Sequence, residues 1–187
     1  RSLLKELGAV HAVRIECQSY LPDWRPARPY QASYAARRDE GGVLRDLIHE
    51  IDYATWLFGR PNAVQARLRN LGRLGIAEDE AAELVWETPA GGAVSVSLDY
   101  LTRPSRRSMR ACGERGSLEW DGTSGTVSLA LAGEPARVTR SAQTRDELFL
   151  AQAHAFVSAS HGTVDPRLAT GDDGVQALAV CDAARRA

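Results

Sequence analysis

The feature that most limits what this chain can fold into is residues 41–61, where Gly41-Gly42 and Gly59-Arg60-Pro61 bracket an unbroken helical pattern. Paired glycines free the backbone ahead of it, and a glycine with a proline close behind ends it. On a wheel at about 100° per residue, Leu44, Leu47, Ile48, Ile51, Ala54, Thr55 and Phe58 fall on one arc. Such an arc needs a core to face, so 43–58 is predicted to be one amphipathic helix laid on a larger apolar surface.

The rest of the chain supplies that surface as strands. Residues 9–19 alternate Val13 and Ile15 against Arg14 and Glu16, the period of a half-buried strand. Strands are also expected at 63–71, 81–87 and 93–101, the last two flanking Thr88-Pro89-Ala90-Gly91-Gly92 as a hairpin. In the second arm Val94, Val96, Leu98 and Tyr100 share one face. Shorter strands are expected near 107–112, 117–121, 126–131 and 136–140, and helices at 144–160 and 171–186. Helices at both ends of a run of antiparallel strands indicate an α+β sheet domain. Between the first strand and the central helix, residues 20–40 place Pro22, Pro26 and Pro29 among Tyr20, Trp24, Tyr30 and Tyr34. Proline removes backbone donors, so this segment is irregular, and long irregular segments in compact domains are commonly functional.

Composition excludes several classes. A formal net charge of −1 and no long basic tract give no electrostatic footprint for nucleic acid. No apolar run approaches the roughly 20 residues of a membrane helix. Cys17, Cys112 and Cys181 are odd in number and far apart. They suit small buried residues in a reducing, cytoplasmic setting better than a disulfide frame, and no metal-binding spacing occurs. The chain opens on Arg1 in mid-helix, which suggests part of a longer protein. It contains no Gly-x-Gly-x-x-Gly turn for a dinucleotide, and Lys5 is its only lysine.

One stripe carries chemistry. Asp46, His49, Tyr53 and Trp56 follow one another at helical spacing on a second arc of the same wheel. A carboxylate beside an imidazole is a usable acid/base pair, because the acid orients the ring and favours its protonated form. The same pattern also describes a solvated Asp–His pair on an amphipathic helix, and the residues alone leave both readings open.

The stretch Gly41-Gly42-Val43-Leu44-Arg45-Asp46-Leu47-Ile48-His49-Glu50-Ile51-Asp52-Tyr53-Ala54-Thr55-Trp56-Leu57-Phe58-Gly59 resembles the central helix of the glucose–fructose oxidoreductase / inositol dehydrogenase / MocA (Gfo/Idh/MocA) family. His49 and Asp52 match the family's His-x-x-Asp directly. Asp46 precedes His49 by one residue fewer than the usual Asp-x-x-x-His, a spacing similar to a subset with Asp-Leu-x-His-Glu-x-Asp-Tyr. Tyr20-Leu21-Pro22-Asp23-Trp24-Arg25-Pro26, Leu98-Asp99-Tyr100-Leu101 with Arg103-Pro104, the Gly113–Asp121 stretch and the ending from Asp172 extend the resemblance over nearly the whole chain.

The resemblance implies that residues 1–187 are one substrate-binding and oligomerisation domain, the C-terminal part of a two-domain oxidoreductase, with 1–8 the end of a linker helix. Its fold would be an open, predominantly antiparallel sheet with helices on one face, like the C-terminal domain of glyceraldehyde-3-phosphate dehydrogenase. NAD or NADP would be bound by a Rossmann domain absent from this chain, which would also supply a lysine. His49 and Asp46 would be catalytic. Tyr20, Trp24, Tyr34, Tyr53, Tyr100 and Arg103 would contact a sugar, sugar-nucleotide or polyol substrate. Subunits would pair through the open sheet face, with no nucleic acid, metal or membrane involved. By itself the chain would be inactive. The competing expectation is a non-catalytic, self-associating sugar-binding or scaffold module.

Overall fold

The computed structural model describes residues 1–187. Eight strands form one sheet: β1 (Val10–Gln18), β2 (Val64–Arg69), β3 (Ala81–Glu87), β4 (Ala93–Asp99), β5 (Arg106–Gly113), β6 (Gly116–Asp121), β7 (Thr126–Leu131) and β8 (Arg137–Arg140). Their order is β2-β3-β4-β1-β5-β6-β7-β8. Every neighbouring pair is antiparallel except β1 with β4, which run parallel with Ile15 beside Val96. The expected strands are all present. The central parallel pair is the exception, since periodicity reports a strand's face but not its partner.

Alternation fixes which face is buried. Val13, Ile15 and Cys17, Leu84 and Trp86, Val94, Val96 and Leu98, then Met109, Ala111, Leu118 and Leu129 all lie in the core. The opposite face is polar. Gln18 donates to Ser97 at 3.1 Å, Ser97 to Glu83 at 2.8 Å, and Arg110 pairs with Glu119 at 3.1 Å. This is one covered face and one open face, the usual economy of an antiparallel sheet.

The helix predicted over 43–58 is two helices. α1 (Val43–Asp46) is a single turn and α2 (Ile48–Phe58) restarts after Leu47, whose backbone (φ −98°, ψ 27°) leaves the helical range. Leu44, Leu47, Ile51 and Ala54 are buried as the apolar arc requires. Glu50 is buried with them, 1% exposed, and pairs with Arg107 of β5 at 2.7 Å.

Two helices close the chain, each opened by a capping box: α3 (Arg145–Ser160) on Thr144 and Glu147, α4 (Gly171–Arg186) on Thr170 and Asp173. α4 buries Ala177, Val180, Cys181 and Ala184, while Val175 and Leu178 face outward. Its Arg185 reaches Asp79 at 3.3 Å and the Gly41 carbonyl at 3.4 Å. No residue of α3 is buried, and Phe149 and Phe156 stand exposed. No helix is long and apolar enough to cross a membrane.

Candidate active site

Residues 20–40 form no regular element beyond three short 3-10 turns, Leu21–Asp23, Tyr30–Ala32 and Tyr34–Ala36. They are nevertheless tied down along their length. The Leu21 amide donates to the Tyr100 carbonyl at 3.0 Å, just past β4, and the Gly42 amide to the Ala35 carbonyl at 3.1 Å. Tyr30 donates its hydroxyl to the Leu74 carbonyl at 2.9 Å. Trp24 donates its indole N–H to Ser19 at 2.9 Å and meets the Tyr100 ring edge-to-face at 5.6 Å. Gly41 lies against Ala35 where a Cβ would collide with backbone, so only glycine lets this segment close on the helix.

Asp46 sits where the irregular segment, α1 and the sheet converge. Its Oδ1 accepts the hydroxyl of Tyr34 and its Oδ2 accepts that of Tyr100 at 2.8 Å. The hydrogen bond to Asp46, with burial and the carboxylate's charge, pushes the Tyr34 phenol up to about 12. Burial first, then the Asp46 charge, raises Tyr100 further still. Both phenols therefore stay protonated and remain donors. A carboxylate has about four acceptor positions, so Asp46 keeps capacity for hydroxyls from another molecule. It does so in the wall of a cavity of about 280 Å³, lined also by Leu21, Trp24, Tyr30, Ser33 and Tyr34.

The expected partnership of Asp46 with His49 is not formed. The break at Leu47 separates them, so a wheel drawn through both residues misplaces one relative to the other. His49 stands exposed on α2. The carboxylate that feels its charge is Asp52, where burial first and then Asp173 raise the pKa and His49 opposes them.

Four other expected contacts, Tyr20, Tyr53, Tyr100 and Arg103, lie outside the cavity lining, Tyr100 fully buried behind Asp46. Tyr53 turns under the helix, its ring edge-to-face on Trp120 at 5.7 Å and its hydroxyl buried near Glu50. Arg103 is bound to Asp23 at 3.1 Å and lies over the Tyr20 ring at 3.4 Å, which commits both its charge and its flat face. Trp24, Tyr34 and Tyr100 are brought together with Asp46. Arg25 and Arg28 also line the cavity. No periodicity marks them, and the only local signal is that each precedes a proline, Pro26 or Pro29.

Residues 4–119 match the family model of the GFO/IDH/MocA C-terminal domain. The chain belongs to the GFO/IDH/MocA family. No curated protein sequence matches it. Among solved structures, levoglucosan dehydrogenase in complex with NADH and L-sorbose superposes with a TM-score of 0.84 at 19% identity, covering 99% of this chain and 58% of that one. A UDP-N-acetylglucosamine 3-dehydrogenase from Acidithiobacillus ferrooxidans gives 0.76 at 18% identity, covering 99% and 56%. An NAD-binding oxidoreductase from Klebsiella pneumoniae gives 0.84 at 13%, covering 99% and 59%. At these identities the likeness is one of fold. The chain spans less than three-fifths of each of these proteins.

A GFO/IDH/MocA oxidoreductase implies a nicotinamide cofactor, and the glycine pair ahead of α1 is the place in this chain to test for one. It does not fit a dinucleotide diphosphate. The Asp79 carboxylate accepts the Leu44 amide at 2.9 Å, and the Asp79 carbonyl accepts the Val43 amide at 2.9 Å. A Cβ on Gly42 would lie 2.5 Å from Asp79 Oδ1. The amides a phosphate would use are already taken, one by the Asp79 carboxylate and one by its backbone carbonyl.

Proposed function

We propose that this chain is the substrate-binding and subunit-pairing part of an NAD- or NADP-dependent oxidoreductase acting on a hydroxyl of a sugar, sugar nucleotide or polyol. The observation that carries this reading is Asp46, fixed by two phenols and facing a cavity with aromatic walls. Aromatic faces suit the C–H surface of a sugar ring, and a carboxylate with spare acceptor capacity suits its hydroxyls. The nicotinamide, held by a preceding dinucleotide domain, supplies the hydride chemistry.

Within this chain the roles divide as follows. Asp46 binds and orients a substrate hydroxyl. His49, exposed on α2, takes or returns the hydroxyl proton. Trp24 and Tyr34 shape the cavity around the ring, and the buried Tyr100 fixes Asp46 from behind. Tyr20, Tyr53 and Arg103 hold the surrounding framework rather than the substrate. Two copies pair through the open polar face of the sheet.

The alternative, a sugar-binding module without catalysis, is favoured by one observation: Asp79 fills the glycine-led start of α1, the place tested above for a cofactor phosphate. Calorimetric titration of the chain with D-glucose and with NADH tests the assignment. Binding of the sugar, weakened by Asp46→Asn, with no heat from NADH is expected. Micromolar NADH binding would overturn the division of labour, and sugar binding indifferent to Asp46→Asn would overturn the site.

A further inference from the structure

The cavity beside Asp46 carries more positive charge than a neutral sugar requires. Arg25 and Arg28 both line it, and neither makes an ion pair or side-chain hydrogen bond. Asp23 is held by Arg103 at 3.1 and 3.4 Å. Asp46, whose two tyrosine partners are neutral, sets one negative charge against the two arginines, which leaves the cavity lining with an excess positive charge.

The local backbone explains why the two arginines act together. The Arg28 amide donates to the Arg25 carbonyl at 2.9 Å, closing a turn over Arg25-Pro26-Ala27-Arg28. Proline in the second position presets such a turn, and its first and last residues lie within about 7 Å of each other at Cα. Pro29 follows, restricting the backbone of Arg28 in turn. The charge of Arg25 is felt at the cavity: it alone opposes the rise that Asp46 and burial impose on Tyr34. Two guanidiniums at the ends of one rigid turn form an arrangement that binds the paired oxygens of a carboxylate or phosphate.

We propose that the cavity takes an anionic monosaccharide, its ring against Trp24 and Tyr34, its hydroxyls on Asp46 and its carboxylate or phosphate on Arg25 and Arg28. This rests on reading the cavity as a sugar site. At about 280 Å³ it lies at the small end for ligand pockets, the scale of one ring rather than a sugar nucleotide.

Intrinsic fluorescence and calorimetry of the chain, titrated with D-glucose, D-glucuronate, D-glucose 6-phosphate and inorganic phosphate, test the proposal. One or both anionic sugars should bind about tenfold or more tighter than glucose, the scale of one charge-assisted contact, and whichever is tighter names the anion. Arg25→Gln with Arg28→Gln should remove that preference and leave glucose binding intact. Both residues are exposed, so the fold should survive, which circular dichroism checks. Equal binding of all three sugars, or a preference untouched by the double variant, would overturn the anion subsite while the sugar reading stands. Inorganic phosphate binding as tightly as glucose 6-phosphate would overturn the sugar reading and leave an anion site alone. A folded chain that binds none of the four would overturn both.

Discussion

The Tyr100 hydroxyl donates to the Asp46 carboxylate at 2.8 Å although the two residues lie 54 positions apart in the chain. That contact ties the end of β4 to α1, and Tyr34 completes it from the irregular segment. Tyr100→Phe keeps the ring against Trp24 and deletes only the hydroxyl. Because the acceptor is a carboxylate, the expected loss is about 1.5–3 kcal/mol of folding stability, measured by urea denaturation. An unchanged midpoint would show that the contact contributes nothing.

Glu80 is fully buried and accepts the amides of Leu71, Arg73 and Leu74 at 2.9, 3.1 and 2.6 Å. It thereby organises the connection between β2 and β3, on whose Leu74 carbonyl Tyr30 rests. Glu80→Ala strands three amides, so a loss of about 3 kcal/mol or more is expected, with faster amide exchange at Leu71–Leu74. A variant as stable and as protected as the parent would contradict this role.

The pair Glu50–Arg107 is asymmetric: Glu50 is 1% exposed while the Arg107 side chain is 42% exposed. Glu50 Oε2 has no protein partner. Arg107→Ala leaves an uncompensated buried acid, and a cost toward the low end of about 3–5 kcal/mol is expected because the arginine is partly solvated. Adding Glu50→Gln should restore part of that stability. An additive double mutant would show that the two residues are not coupled.

Thiols and phenols set the alkaline limit of stability. Burial first, then the Glu50 charge, pushes Cys17 up to about 12. Burial and Asp182 push Cys181 up to about 11, and Tyr34 rises to about 12 for the reasons given above. Each folded value exceeds its unfolded one, so the stability these groups contribute is complete below the unfolded values near 9 and 10 and is lost as pH rises toward 11–12. Denaturation midpoints should fall across that window. In the native chain Cys17 and Cys181 should resist alkylation near neutral pH, leaving the half-buried Cys112 to react first. Rapid labelling of all three thiols would contradict the buried placement.

Much of this was legible in the residues. Alternation located every strand and the buried rows, and the glycine and proline signals bounded the helical segment from Gly41 to Pro61. The family resemblance held. Three things were not legible. The parallel pairing of β1 with β4 depends on which strands meet, which periodicity does not encode. The break at Leu47 coincides with tertiary anchoring on either side, Asp79 holding the first turn and Glu50 pairing the second with Arg107, while no glycine or proline between them marks it in the sequence. The partners of Asp46 come from residues 12 and 54 positions away, so helical spacing around Asp46 does not reveal them.

The most direct test of the catalytic reading is turnover by this chain together with the dinucleotide-binding domain that the proposal calls for, in His49→Ala and Asp46→Asn variants whose fold is verified. His49→Ala is expected to lower kcat by about 10²-fold or more, the scale of a lost general acid or base, and Asp46→Asn to raise KM for the sugar as a binding contact is lost. Near-normal kcat in His49→Ala, with cofactor and sugar both saturating, would contradict it.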